Sequence, residues 1–187
     1  MRNPLNIVLV GPMGAGKTSM GNALAKEIGW DFYDSDQIIE KRAGVDLLWI
    51  YDLEGEAGFR AREKSVISEL VQKRNIVLAT GGSTVAISEN RAAITTNGLV
   101  IYLSTSLNDQ LVRTGYSKKR PLSPELEKRR SILTKLHEEY VPIYEGLADI
   151  IYNTDHKSTR AAVADLVGLI KKCHPELARD LHNADPF

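Results

Sequence analysis

Residues Gly11-Pro12-Met13-Gly14-Ala15-Gly16-Lys17-Thr18 match the pattern G-x-x-x-x-G-K-[ST] in full. Nothing else in the chain constrains its fold as tightly. Glycine makes up about 7% of average sequence, so such a match arises by chance in roughly one chain in a hundred or fewer. It also stands between an apolar run at 7–10 and a helical pattern at 19–28, with Met20, Leu24 and Ile28 on one face. In that context glycines let backbone N–H groups curl around phosphate oxygens, and the helix N-terminus adds its positive end. Lys17 then reaches the β- and γ-phosphates, and the Thr18 hydroxyl ligates Mg2+. A plain turn that only starts a helix has no need of Lys-Thr. The motif implies ATP binding through Gly14, Ala15, Gly16, Lys17, Thr18 and Ser19. It leaves the phosphate acceptor open.

The rest of the chain alternates short apolar runs with helical spacing, the signature of a parallel sheet wrapped by helices. The runs fall at 7–10, 31–33, 76–79, 99–103 and 149–152, and helices are predicted at 37–42, 47–53, 56–71 and 160–172. A further helix runs to about Tyr140 and stops at Pro142, where the ring removes a donor. The expected fold is α/β, a P-loop NTPase fold whose five-stranded parallel sheet carries helices on both faces and its first strand away from the edge. The polar segment around Lys118-Lys119-Arg120-Pro121 cannot form a core element and reads as a mobile lid at about 114–124. One domain is expected at 1–173, and 174–187 reads as a poorly ordered tail.

Composition narrows the partners. Lys+Arg and Asp+Glu both total 24 in 187 residues, so zero net charge gives no long-range pull toward nucleic acid or an anionic membrane. The one cysteine, Cys173, rules out an internal disulfide, and the four histidines show no metal-ligand spacing. The apolar stretch near the start is too short for a membrane span and lacks a cleavage region, so the protein reads as cytoplasmic. Small-molecule substrates and a monomeric state complete this expectation. Trp30, Trp49 and Tyr51 read as helix-to-core packing.

Six segments, taken in order, carry a resemblance to one family. They are GPMGAGKT (11–18), FYDSDQIIEKRAG (32–44), DLEGEAGFRAREKSVISEL (52–70), LATGG (78–82), RTGYSKKRPL (113–122) and P-x-Y (142–144). Across nearly the whole chain the sequence resembles shikimate kinase. The resemblance implies ATP-dependent phosphorylation of the shikimate 3-hydroxyl. It implies that Asp34 holds Mg2+ through water beside Thr18, and that Asp36 orients or deprotonates the attacking hydroxyl. Read from residues alone, Asp34, Ser35 and Asp36 serve equally well as helix caps. The resemblance puts Arg60 on the acceptor carboxylate, a task suited to a planar guanidinium, although pairing with Glu56 or Glu63 is the simpler helical reading. It sets Gly81 and Gly82 close against the substrate and Arg120 in a lid that brings a cation to the transferring phosphate. Arg113 and Lys157 would border the adenine.

Two positions depart from the family's usual pattern. Ser83 stands where a third glycine is usual, and Tyr140 stands where an arginine, a second cation for the carboxylate, is usual. Arg129 and Arg130 cannot substitute, being roughly 15–16 Å away along one helix. Carboxylate binding is therefore expected to rest on Arg60, aided by the Tyr140 hydroxyl. Two alternatives stay open at this point: a kinase for a related small hydroxy acid, and a nucleotide-binding protein without turnover.

Overall fold

Four consecutive apolar residues, Ile7 to Val10, leave a strand with no polar face for water, so it must be covered on both sides. In the computed structural model, which describes residues 6–115, 125–175 and 177, that is β1 (Asn6–Val10), fully buried along its length. β2 (Asp31–Asp34), β3 (Ile76–Ala79), β4 (Gly98–Ser104) and β5 (Ile150–Asn153) complete one parallel sheet. Its order is β2-β3-β1-β4-β5, with Ile7 in register with Val77 on one side and Leu99 on the other. The central placement of β1 agrees with the sequence expectation.

Alternation along each strand divides the core into two layers. Ile7, Leu9, Val77, Leu99 and Ile101 pack with α1 (Lys17–Ile28) and α7 (Thr159–Cys173). Val8, Val10, Leu78, Val100 and Tyr102 pack on the opposite face with Ile39, Phe59, Ile67, Tyr140 and Tyr144. Those partners come from α2 (Ser35–Ala43), α3 (Leu47–Leu70) and α6 (Leu126–Leu147). Fully burying each aliphatic side chain contributes about 1.5–3 kcal/mol, which makes the double-sided strand the strongest organiser of the fold.

Several elements differ from the sequence expectation. The last long helix does not stop at Pro142: α6 continues to Leu147 through the proline. One backbone bond is lost there, but Tyr140 and Tyr144 on either side are buried in the core and hold the turn in place. The helices predicted at 37–42, 47–53 and 56–71 are separated at Gly44, which caps α2, and at Gly55, which takes φ 68°, ψ −174° inside α3. A 3-10 turn (Thr84–Ala86), α4 (Ser88–Asn97) and α5 (Leu107–Gly115) were not anticipated. Trp30 is buried, whereas Trp49 is 57% exposed and contributes no core packing. Thr114 and Gly115 of the expected lid belong to α5, and 116–124 lie outside the described residues. Most of the tail lies outside them too, though Leu177 is buried against the layer formed by α1 and α7. Among the described residues, no helix is long and apolar enough to cross a membrane, and no three or more His, Cys, Asp or Glu side chains gather in a group that could hold a metal ion.

Candidate active site

Parallel strands that end together open a crevice at their C-terminal edge, and here β1, β2 and β3 all end beside the phosphate loop. Gly14 and Gly16 hold φ of 83° and 86°, a left-handed backbone that suits glycine and bends the chain from β1 into α1. Lys17 folds back over this loop, its Nζ donating to the carbonyls of Gly11 at 2.6 Å and Pro12 at 2.9 Å. Thr18 donates its hydroxyl to Asp34 Oδ2 at 2.6 Å. That joins the start of α1 to the end of β2.

Asp34 does two jobs at once. Its Oδ1 accepts from the backbone N–H groups of Asp36 and Gln37, so it is the residue that caps α2. Its Oδ2 stands with the Thr18 hydroxyl as a pair of hard oxygen atoms, of the kind that suits Mg2+. The cap therefore fixes the direction of the second oxygen.

A cleft of about 520 Å³ spans this region. Lys17, Thr18, Asp34, Asp36, Gly82 and Arg113 all line it. Asp36 lies close against Gly81: a Cβ there would fall 2.8 Å from its Oδ1, so any larger residue would displace the Asp36 carboxylate. The Gly81 N–H also donates to the buried Ser35 hydroxyl at 3.1 Å, which ties the loop after β3 to the start of α2. Gly82 has no comparable constraint, its added Cβ meeting Met13 N at an ordinary 3.5 Å. Its carbonyl accepts a hydrogen bond from the Tyr144 hydroxyl.

Arg60 lies at the far end of the same loop. One terminal nitrogen, Nη1, donates to Glu63 Oε2 at 3.0 Å, to the Ser83 carbonyl at 3.1 Å and to Ser83 Oγ at 3.0 Å. Nη2 makes a longer 3.4 Å contact with the exposed Glu56. Glu63 is fully buried and also accepts from the Thr84 hydroxyl. Burial opposes the charge on Arg60, but the bond and charge of Glu63 outweigh it and hold the guanidinium above its usual pKa. Both helical pairings anticipated for Arg60 therefore exist, and they aim it.

Tyr140 reaches the same spot from α6. Its hydroxyl interacts with Arg60 and with Glu139, and burial followed by the charge of Glu139 pushes its pKa up. Its ring lies 6.4 Å from that of Tyr144, which in turn stacks on Tyr102 at 5.1 Å. Gly82, Ser83, Tyr51 and Tyr140 border a second cavity of about 240 Å³, floored mainly by leucines. Tyr51 thus lines a cavity wall as well as stacking on Phe59.

The third part of the site is a cavity of about 220 Å³ on the other side of the phosphate loop. Ala15, Gly16, Ser19, Arg113 and Lys157 border it, and it shares Gly16, Ser19 and Arg113 with the large cleft. Arg113 is held by Asp109 and by the Thr154 carbonyl, at 2.9 and 3.2 Å. Lys157 is bound to Asp165 at 2.8 Å and to the Tyr152 hydroxyl at 3.0 Å. The structure therefore brings together all the sequence-derived site residues except Arg120, which lies outside the described residues. Sequence reasoning gave no site role to Ser35, Tyr144 or Ser83. Ser83 carried a signal as a departure from a glycine pattern, and Ser35 and Tyr144 fell within the family-like segments 32–44 and 142–144.

Comparison with known proteins is consistent with this geometry. The family model described as shikimate kinase matches residues 13–171. A shikimate kinase of Legionella pneumophila is 52% identical over 164 residues, covering 87% of this chain and 92% of that protein. One from Buchnera aphidicola is 46% identical over 172 residues, covering 92% and 99%. Among solved structures, shikimate kinase from Acinetobacter baumannii in complex with shikimate superposes with a TM-score of 0.87 at 39% identity, over 92% of this chain and 96% of that one. The chain belongs to the shikimate kinase family.

Proposed function

We infer that this protein transfers the γ-phosphate of ATP to the 3-hydroxyl of shikimate. The observation that carries the reading is a single cleft in which Asp36, packed on Gly81, faces the phosphate loop with Lys17 and Thr18. Family membership supports the choice of acceptor.

In this reading the adenine enters the small cavity between Arg113 and Lys157, and the phosphates lie along residues 14–19. Asp36 holds the attacking hydroxyl and takes its proton as the new P–O bond forms and the bond to the β-phosphate oxygen breaks. Lys17 offsets charge on the transferring group. Mg2+ would be held by the Thr18 hydroxyl and by Asp34, and when bound it neutralises phosphate charge. Arg60 and Tyr140 take the acceptor carboxylate. Arg120, in the segment expected to be a lid, adds a cation and helps to exclude water, which competes as an acceptor. The reading also takes the protein as a cytoplasmic monomer, for which elution at the mass of one chain is the check.

The deciding experiment measures ADP release with Mg2+ and ATP, with and without shikimate, followed by identification of the product. Shikimate-dependent release giving a singly phosphorylated acid is expected. Slow ATP hydrolysis indifferent to shikimate would mean a nucleotide-binding protein without this activity. Turnover with another hydroxy acid but not shikimate would move the acceptor.

A further inference from the structure

Ser83 and Tyr140 are 57 positions apart in a sequence where both depart from the usual family pattern, yet both meet the same guanidinium. Arg60 Nη1 donates to the Ser83 hydroxyl oxygen at 3.0 Å and to its carbonyl at 3.1 Å. A hydroxyl that accepts from a guanidinium turns its own hydrogen away from that cation. No described residue takes that hydrogen. Ser83 also borders the cavity shared with Gly82, Tyr51 and Tyr140, whose walls are mainly aliphatic and aromatic. A donor turned away from the guanidinium therefore stands beside a cation whose second nitrogen, Nη2, makes a long 3.4 Å contact with an exposed glutamate.

We propose that Ser83 is a carboxylate-binding residue of the acceptor site, its hydroxyl donating to the acceptor carboxylate beside Arg60. The proposal rests on the shikimate reading given above. It also explains how a site with one cation in place of two can hold a carboxylate. Arg60 supplies the charge, and two neutral hydroxyls, Ser83 and Tyr140, supply further donors. Neutral donors satisfy the remaining carboxylate lone pairs without setting a second positive charge against Arg60. The dependence runs both ways: Arg60 orients the Ser83 hydroxyl, and the residue's two oxygens help to hold Arg60.

The test compares the parent protein, Ser83→Ala and Ser83→Thr with shikimate and with the analogue whose carboxylate is reduced to a hydroxymethyl group. Ser83→Ala should raise the shikimate KM about tenfold, the order expected for one hydrogen bond to a charged group, with kcat and the ATP KM nearly unchanged. The hydroxymethyl analogue should lose far less, because it offers no carboxylate to the missing donor. Ser83→Thr, which keeps the hydroxyl, should stay near the parent. An unchanged shikimate KM in Ser83→Ala overturns the assignment, as does an equal penalty for both substrates, which would make Ser83 merely structural. If the parent phosphorylates shikimate and Ser83→Ala behaves like it, only this assignment falls. If the parent does not turn shikimate over at all, the functional reading and the assignment fall together.

Discussion

At the scale of single residues, Tyr140 shows how one side chain serves both core and site. It is 8% exposed, packs toward Tyr144, and presents its hydroxyl to Arg60. Tyr140→Arg would place a second guanidinium against the first. In the free protein that adds like-charge repulsion at a buried position, so the melting temperature should fall. With shikimate bound, both cations share one carboxylate. The shikimate KM should then drop roughly tenfold, and the ligand should restore much of the lost melting temperature. A lower melting temperature with an unchanged shikimate KM would show that the arginine never reaches the carboxylate. The sequence made Tyr140 legible as a departure from a pattern, but not that it shares Arg60 with Ser83. Arg60 and Ser83 are 23 residues apart and belong to different elements, so neither periodicity nor spacing could reveal their contact. Asp34 was a different case, since capping and metal holding were rival readings, and one oxygen caps α2 while the other accepts from Thr18 and stays compatible with the proposed metal role.

At the scale of elements, strands were more legible than helices, for a physical reason. A strand covered on both faces must be apolar throughout, and the runs at 7–10 and 76–79 could be little else. α4 buries only Asn90 and Ile94, too thin an apolar stripe to stand out. α6 escaped at its end because the penalty for Pro142 was set against nothing, whereas the structure sets it against two buried tyrosines. Gly55 has the most to say about function among these details. Its φ of 68° with ψ of −174° lies in a region almost closed to other residues, and it divides α3 between residues 47–54 and 56–70. The first part sends Leu47 into the large cleft and Leu48 and Tyr51 to the apolar cavity. A Cβ at Gly55 would meet no neighbouring atom, so Gly55→Ala probes backbone conformation alone. It should cost about 1–3 kcal/mol, lowering the melting temperature by roughly 2–10 °C. Because the displaced arm borders the acceptor end, the shikimate KM should rise while the ATP KM stays put. Equal changes in both constants would show that the arm does not serve one substrate alone.

At the scale of the whole molecule, the proposed function gives the site a nucleotide end and an acceptor end, and ligand-induced stability can test that division. A ligand that binds only the folded state at 100 times its Kd adds about 2.7 kcal/mol of stability. For a chain of this size that is roughly a 5–10 °C rise in melting temperature. Lys17 belongs to the phosphate loop, whereas Arg60 stands on α3 and bonds to Ser83 of the loop after β3, so their losses should be separable. Lys17→Ala should lose most of the shift given by ADP with Mg2+ and keep the shift given by shikimate. The reverse experiment needs a second substitution. Arg60→Ala alone would strand Glu63, a fully buried carboxylate, and breaking such a pair costs about 3–5 kcal/mol. Adding Glu63→Gln removes the stranded charge and keeps an oxygen for the Thr84 hydroxyl. The double variant should therefore melt higher than Arg60→Ala, lose the shikimate shift and keep the ADP shift. Recovery of stability without recovery of shikimate binding would separate the two roles of Arg60, as anchor for a buried acid and as ligand for the acceptor. Loss of both ligand shifts in either variant would mean that the two ends form a single cooperative site, and the division drawn here would be wrong.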